Sequence, residues 1–170
     1  YVVGNTYHKL AQTENAANAF GPWNPAEFTV EDSAFGFIVM ENGATIYLES
    51  SWALNSLDVG EAQTTLHGTQ GGADMKDGLR INGEADGMMY DKTMVLEPGG
   101  VDFYDGSGDD PAYLEAKQWI ESIQNDTEPV VSPEQALVVT QILEAIYQSA
   151  KTGAPVYINQ HKEELGKILV

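Results

Sequence analysis

The side chains best suited to hold a metal or move a proton near neutral pH in this chain are three histidines and 26 aspartates and glutamates, with no cysteine among its 170 residues. Without cysteine there is no thiolate nucleophile, disulfide framework or thiolate zinc site. His8, His67 and His161 are far apart in sequence, and none sits in an H-E-x-x-H or similar metal-ligand spacing. We read each as structural or solvated and assign no metal ligand. Asp102, Asp105, Asp109 and Asp110 invite a calcium reading, but the glycines are misplaced for an EF-hand loop. The twelfth position counted from Asp105 is Ala116, where a bidentate glutamate is needed. A solvated loop with Asp110 as a helix cap is the better reading. Glu31 and Asp32 are adjacent at a strand start, so they point to opposite faces and do not form a dyad. Gly68-Thr69-Gln70-Gly71-Gly72 lacks the lysine and following helix of a P-loop, and Gly106-Ser107-Gly108 lacks the third glycine of a dinucleotide fingerprint. Both read as turns. There is no G-x-S-x-G nucleophile elbow. Read residue by residue, the sequence offers no catalytic and no cofactor-binding residue.

Those groups stand on a strand-rich part followed by a helical part. Tyr1 to Leu10 reads as a strand, and Ala11 to Phe28 as a polar loop carrying Phe20, Trp23 and Phe28. Ala34 to Met40 and Ala44 to Leu48 flank Asn42-Gly43, the strongest short hairpin signal, with a type I′ turn expected between them. The return strand should run on through Trp52. From Ala62 to Tyr104, short strands alternate with turns at Gly68 to Gly72, Asp77-Gly78, Asn82-Gly83 and Glu97 to Gly100, as in an antiparallel meander. No helix separates them, which excludes a doubly wound parallel sheet. Two helices are expected next. The first runs from about Pro111 to Gln124, with Tyr113, Ala116, Ile120 and Ile123 on one face. The second runs from about Pro133 to Ala150, opened by the capping box Ser132-Pro133-Glu134-Gln135 and ended by Gly153. Val156 to Ile158 reads as an edge strand, and Gln160 to Val170 as a short tail.

The strand Ala34 to Met40 is apolar on both faces: Ala34, Gly36, Ile38 and Met40 on one, Phe35, Phe37 and Val39 on the other. Two helices adjacent in sequence cover one face of a sheet, so the second face calls for another subunit or another part of the polypeptide. The expected fold is therefore α+β, an open-faced, mostly antiparallel sheet with helices packed on one face, and an oligomer through the open face. Eight basic against 26 acidic residues give a net charge of −18, which repels phosphate backbones and anionic lipid, so no nucleic acid and no membrane partner is expected. The chain begins Tyr1-Val2-Val3, already the interior of a strand, and we expect it to be a piece of a longer polypeptide.

Three stretches in order resemble the Gfo/Idh/MocA oxidoreductases, named for glucose–fructose oxidoreductase, inositol dehydrogenase and a rhizopine-catabolism protein. They are Val30-Glu31-Asp32-Ser33-Ala34-Phe35-Gly36-Phe37-Ile38 with Glu41-Asn42-Gly43-Ala44 and Leu48 to Ala53, then His67-Gly68-Thr69-Gln70-Gly71-Gly72-Ala73, then Pro133 to Leu137 continuing through Glu144 to Gly153. The likeness runs from about Val3 to Ile158. It implies a cytoplasmic, two-domain enzyme. An N-terminal Rossmann domain would bind NAD or NADP, and a C-terminal domain at residues 1–158, followed by a tail at 159–170, would shape the substrate site and assemble oligomers. The reaction implied is hydride transfer on a sugar, cyclitol or related polyol. The family's glycine fingerprint, its Glu-Lys-Pro lysine and its D-x-G-x-H histidine match no residue here, so a chain of this extent is expected to be inactive alone, to bind no nucleotide, and to need its own N-terminal domain as partner. Trp23, Asn24 and Asp32 are the candidate substrate contacts, for stacking and for hydroxyl hydrogen bonds. A stand-alone dimerisation module and a secreted carbohydrate-binding module are the alternatives.

Overall fold

The computed structural model describes residues 1–10, 12–13, 24–55, 57, 63–76, 78–94 and 111–158. Its strands are β1 Val2–Tyr7, β2 Ser33–Val39, β3 Thr45–Ser51, β4 Thr65–His67, β5 Gly71–Asp74, β6 Leu79–Ala85 and β7 Met88–Met94, and its helices are α1 Pro111–Asn125 and α2 Pro133–Thr152. Two antiparallel sheets form, in the orders β1-β2-β3 and β4-β5-β6-β7. The architecture is α+β with open sheets, as expected. The chain divides into two compact units: Tyr1–Ser56 with Val131–Val170, and Leu57–Val130.

In the first unit, alternation along β1 and β2 puts Val2, Gly4, Gly36 and Ile38 on one face, and α2 lies against it. Val2, Ile38, Ala145, Ile146 and Val156 form the buried core, with Met40, Leu48, Ile142 and Ile158 packed around them. Gly4 and Gly36 pair across the two strands and together form a notch for Ile146. A Cβ on Gly4 would stand 2.7 Å from Ile146 Cγ2, and one on Gly36 would stand 2.7 Å from Ile146 Cδ1. The helix approaches this closely only because both positions lack a side chain. The outer edge of β1 is tied down as well. Gly4 N–H donates to Ser149 Oγ at 3.0 Å, and Val2 exchanges backbone hydrogen bonds of 2.8 and 2.9 Å with Val156. The edge strand expected at Val156 to Ile158 is thus a single bridge.

The opposite face of the first sheet carries Val3, Phe37 and Tyr47, all exposed, and Tyr7 edge-on to Phe35. In α2, Ser132 and Gln135 form the expected capping box, and Gly153 closes the helix at φ +67°. The predicted stripe of α1 exists at helical spacing, with Tyr113, Ile120 and Ile123 exposed.

Two turn readings need correction. Asn42-Gly43 does not form a type I′ turn, because Gly43 has positive φ (+86°) and Asn42 does not. Gly43 N–H instead bonds Met40 O at 3.0 Å, Met40 N–H bonds Ala44 O at 2.8 Å, and Asn42 Oδ1 accepts from Ala44 N–H at 3.0 Å. This is the longer hairpin connection, a turn closed by one left-handed glycine. Asn82-Gly83 is not a turn at all and lies inside β6. Asn82 Oδ1 accepts the Gly72 N–H of β5 at 2.6 Å, and Gly83 is bare because Tyr90 lies over it: a Cβ there would meet the phenol oxygen at 2.6 Å. The type I′ turn of that hairpin is Asp86-Gly87, at φ +54° and +75°. The acidic cluster Asp102 to Asp110, the turn at Glu97 to Gly100 and the tail after residue 158 lie outside the described residues.

Candidate functional site

At one end of the first sheet, β1 stops, β2 starts and β3 stops, and several polar and aromatic residues meet there. Asp32 is the buried charge at this end, with about 1% of its surface exposed. A carboxylate is this far from water only if donors surround it. Its Oδ2 accepts Leu10 N–H at 2.8 Å and its Oδ1 accepts the Ser33 hydroxyl at 2.9 Å. Its backbone is held on both sides: N–H donates to Tyr7 O at 2.8 Å, and C=O accepts from Trp52 N–H at 3.3 Å and from the Ser51 hydroxyl at 2.9 Å.

Glu31 and Asp32 both lie just ahead of β2 and not on it, so the strand alternation expected for them does not apply, and Glu31 Oε1 accepts a hydrogen bond from the Tyr147 hydroxyl on α2. That bond holds the Glu31 carboxyl below its usual range, helped by a further hydrogen bond and by the charge of nearby His8, against a smaller opposing effect of burial. The same bond raises Tyr147 above the ordinary phenol range, because ionisation would leave two negative charges facing each other. Trp52 Nε1–H donates to Glu31 O at 3.1 Å, and its ring lies 4.9 Å from that of Phe28. Phe28 ends a one-turn 3-10 helix, Pro25–Glu27, whose cap is Asn24: Oδ1 accepts Ala26 N–H at 3.1 Å.

Of the predicted contacts, Asn24 and Asp32 thus fall at this rim, while Trp23 lies outside the described residues. Tyr147 and Trp52 were not among the candidates from sequence, and His8 was read there as structural or solvated. Tyr147 is 116 positions from Glu31, and only α2 lying on the sheet brings them together. Chemically, the rim offers an ionised carboxylate, a phenol, an imidazole and an indole, a set suited to hydroxyl groups and to the C–H face of a ring.

The second unit has an open hollow of about 1010 Å³ over β4 to β7. Its lining includes Asp74 and Arg80, paired to each other, with Asp74 held below its usual range by the guanidinium. Asn82 is already spent on Gly72, and the surface is what the water-facing side of an antiparallel sheet ordinarily shows. The glycine-rich turn does not fit a dinucleotide. It joins two antiparallel strands with no helix after it, and Gly68 N–H and Gly72 N–H are taken by Gly71 O and Asn82 Oδ1. Among the described residues no three His, Asp or Glu gather as metal ligands, and no helix is long and apolar enough to cross a membrane.

Residues 1–158 match the model of the oxidoreductase family's C-terminal alpha/beta domain. The chain is 29% identical over 159 residues to a D-glucoside 3-dehydrogenase of Escherichia coli K12, a match covering 91% of this chain and 41% of that protein. In fold it is similar to an oxidoreductase from Agrobacterium radiobacter solved with NAD+, L-tartaric acid and magnesium, with TM-score 0.62, 20% identity, and 94% of this chain against 43% of that one. It is also similar to an aldose-aldose oxidoreductase from Caulobacter crescentus complexed with glycerol, with TM-score 0.54, 18% identity, and 90% against 39%. The chain therefore spans about two fifths of the length of these relatives.

Proposed function

This chain belongs to the Gfo/Idh/MocA oxidoreductase family as its C-terminal alpha/beta domain, and from that premise we propose that it is the substrate-binding and oligomerisation part of a cytoplasmic NAD(P)-dependent dehydrogenase acting on a sugar, cyclitol or related polyol. Residues 1–158 make up that domain, and 159–170 are a tail. The observation that carries the substrate reading is the rim at the end of the first sheet, where Tyr147 and Trp52 both bond Glu31 and so present hydroxyl-binding and ring-stacking groups together, with Asn24 capping the short helix that leads to Phe28. The similarity to a D-glucoside 3-dehydrogenase supports a carbohydrate over other hydroxyl compounds.

Hydride transfer needs a nicotinamide. In this proposal the cofactor and the proton-moving groups belong to a nucleotide-binding domain of the same polypeptide, and the present chain alone is inactive. Val3, Phe37 and Tyr47, exposed on the face away from α2, support assembly of copies through that face.

The test is to mix the whole polypeptide with NAD+ or NADP+ and a panel of aldoses, D-glucosides and inositols, and to follow nicotinamide absorbance. At least one sugar is expected to give reduced nicotinamide, while the 170-residue chain gives none. Turnover by the short chain, or none by the whole one, would overturn the proposal. Light scattering tests the assembly: a dimer or larger species is expected, reduced to monomer by Phe37→Glu, and a monomeric native chain would contradict it.

A further inference from the structure

The loop between β1 and β2 leaves the sheet at Leu10 and returns through the Asn24–Phe28 turn, and both legs end on the same short stretch of chain. On the outgoing leg, Leu10 N–H donates to Asp32 Oδ2. On the returning leg, Phe28 packs at a tilt against Trp52, whose indole N–H donates to Glu31 O and whose backbone N–H donates to Asp32 O. Asp32 itself is almost fully buried and is bonded to the last residue of β1, to Ser33 and to Ser51.

We propose that Asp32 is a positioning residue, not a substrate contact: its carboxylate closes the base of the loop and thereby sets the pose of the rim that carries Asn24, Phe28 and Trp52. Its surface is covered by the chain itself, so a hydroxyl of a bound sugar would have to move part of the chain aside to reach it. A buried charge with its donors already in place also resists such exchange, because any lost bond leaves part of the charge unsatisfied. The two described legs are thus held at one seam, Leu10 by the Asp32 carboxylate and Phe28 through Trp52 by the backbone of Glu31 and Asp32, and the polyol binding assigned above to the rim depends on that carboxylate without touching it. The effect on binding rests on the proposed substrate reading, whereas the clamp itself does not.

Amide hydrogen exchange on the 170-residue chain, without sugar, reads the clamp directly. In Asp32→Ala the Leu10 amide should exchange about tenfold faster or more, with α2 and the β6–β7 hairpin unchanged. Asp32→Asn keeps one carbonyl acceptor and should restore part of that protection, and it serves as the judging variant if the alanine form does not fold. Native protection at Leu10 in these variants overturns the proposal, as does a uniform rise across β1, β2, β3 and α2, which would make Asp32 a keystone of the fold and not of the loop. In the whole polypeptide, Asp32→Asn should raise KM for the sugar about tenfold and leave KM for the nucleotide within about twofold. An unchanged sugar KM also overturns it. A wild-type enzyme that turns over no sugar defeats the substrate reading, and the exchange result still decides the clamp.

Discussion

Substituting alanine at Gly36 or Gly4 puts a methyl group into the notch that receives Ile146, and the two sites should respond differently to a second change. At Gly36 the new Cβ meets Ile146 Cδ1 at 2.7 Å, with Ile146 Cγ1 and Ile38 Cδ1 at 3.3 Å. At Gly4 it meets Ile146 Cγ2 at 2.7 Å and the Phe35 carbonyl oxygen at 2.9 Å. Ile146 is 2% exposed and has little room to move. Overpacking of this kind costs about 1–3 kcal/mol, offset by about 0.4–1 kcal/mol from the lower entropy of an unfolded alanine chain. A net loss of about 1–2 kcal/mol is expected for Gly36→Ala. More is expected for Gly4→Ala, where a backbone oxygen cannot rotate aside. Ile146→Val removes Cδ1 and keeps Cγ2, at a cost of about 0.5–1.5 kcal/mol alone. Combined with Gly36→Ala it should recover about 1 kcal/mol, and combined with Gly4→Ala close to nothing. Urea unfolding followed by helical circular dichroism measures all five variants. Additive effects in the Gly36/Ile146 pair, or equal rescue of both glycines, would refute the proposed seating of α2.

The Glu31–Tyr147 bond makes stability depend on pH in two windows. Glu31 is depressed, so its contribution is present above its ordinary pKa and is lost as pH falls through the lower folded value. Tyr147 is raised, so the same bond is lost as pH rises through its folded value above the usual phenol range. The pair lies at a solvated rim, so Tyr147→Phe should cost about 0.5–1 kcal/mol at neutral pH and nothing below the carboxylate range, read from urea midpoints across pH. Ser132→Ala breaks the capping box of α2 and should cost about 1 kcal/mol in the same assay, with Ser132→Asp close to native. Gly87→Ala forces a side chain into φ +75° and should lower the unfolding midpoint, whereas Gly83→Ala should lower it through contact with Tyr90, a loss relieved by Tyr90→Leu.

What the sequence revealed and what it hid divide by the range of the cause. The second helix could be read almost to its ends because Ser132, Pro133, Gln135 and Gly153 are local signals of local hydrogen bonds. The β2–β3 hairpin was legible for the same reason, though its turn type was not, since Asn42-Gly43 fits more than one connection. Asn82-Gly83 misled because the same dipeptide that marks a turn also suits a strand where a glycine must lie under a tyrosine ring. The order of β4 to β7 followed from the lack of crossover helices. The rim was half legible. Asn24 and Asp32 were singled out, though sequence shows a carboxylate at Asp32 and not the burial that the structure gives it. Tyr147 and Trp52 gave no spacing signal, since their meeting with Glu31 depends on α2 lying over β1 and on β3 ending beside the start of β2.

The central claim is that this domain serves an enzyme that moves hydride from a sugar carbon to a nicotinamide. The most direct measurement is mass spectrometry of the nicotinamide after the whole polypeptide has acted on a D-glucoside deuterated at its hydroxyl-bearing ring carbons. The account predicts one deuterium on the reduced nicotinamide, carried from carbon to carbon and not diluted by water. Reduced nicotinamide without the label, or no reduction with any sugar tested, would contradict it.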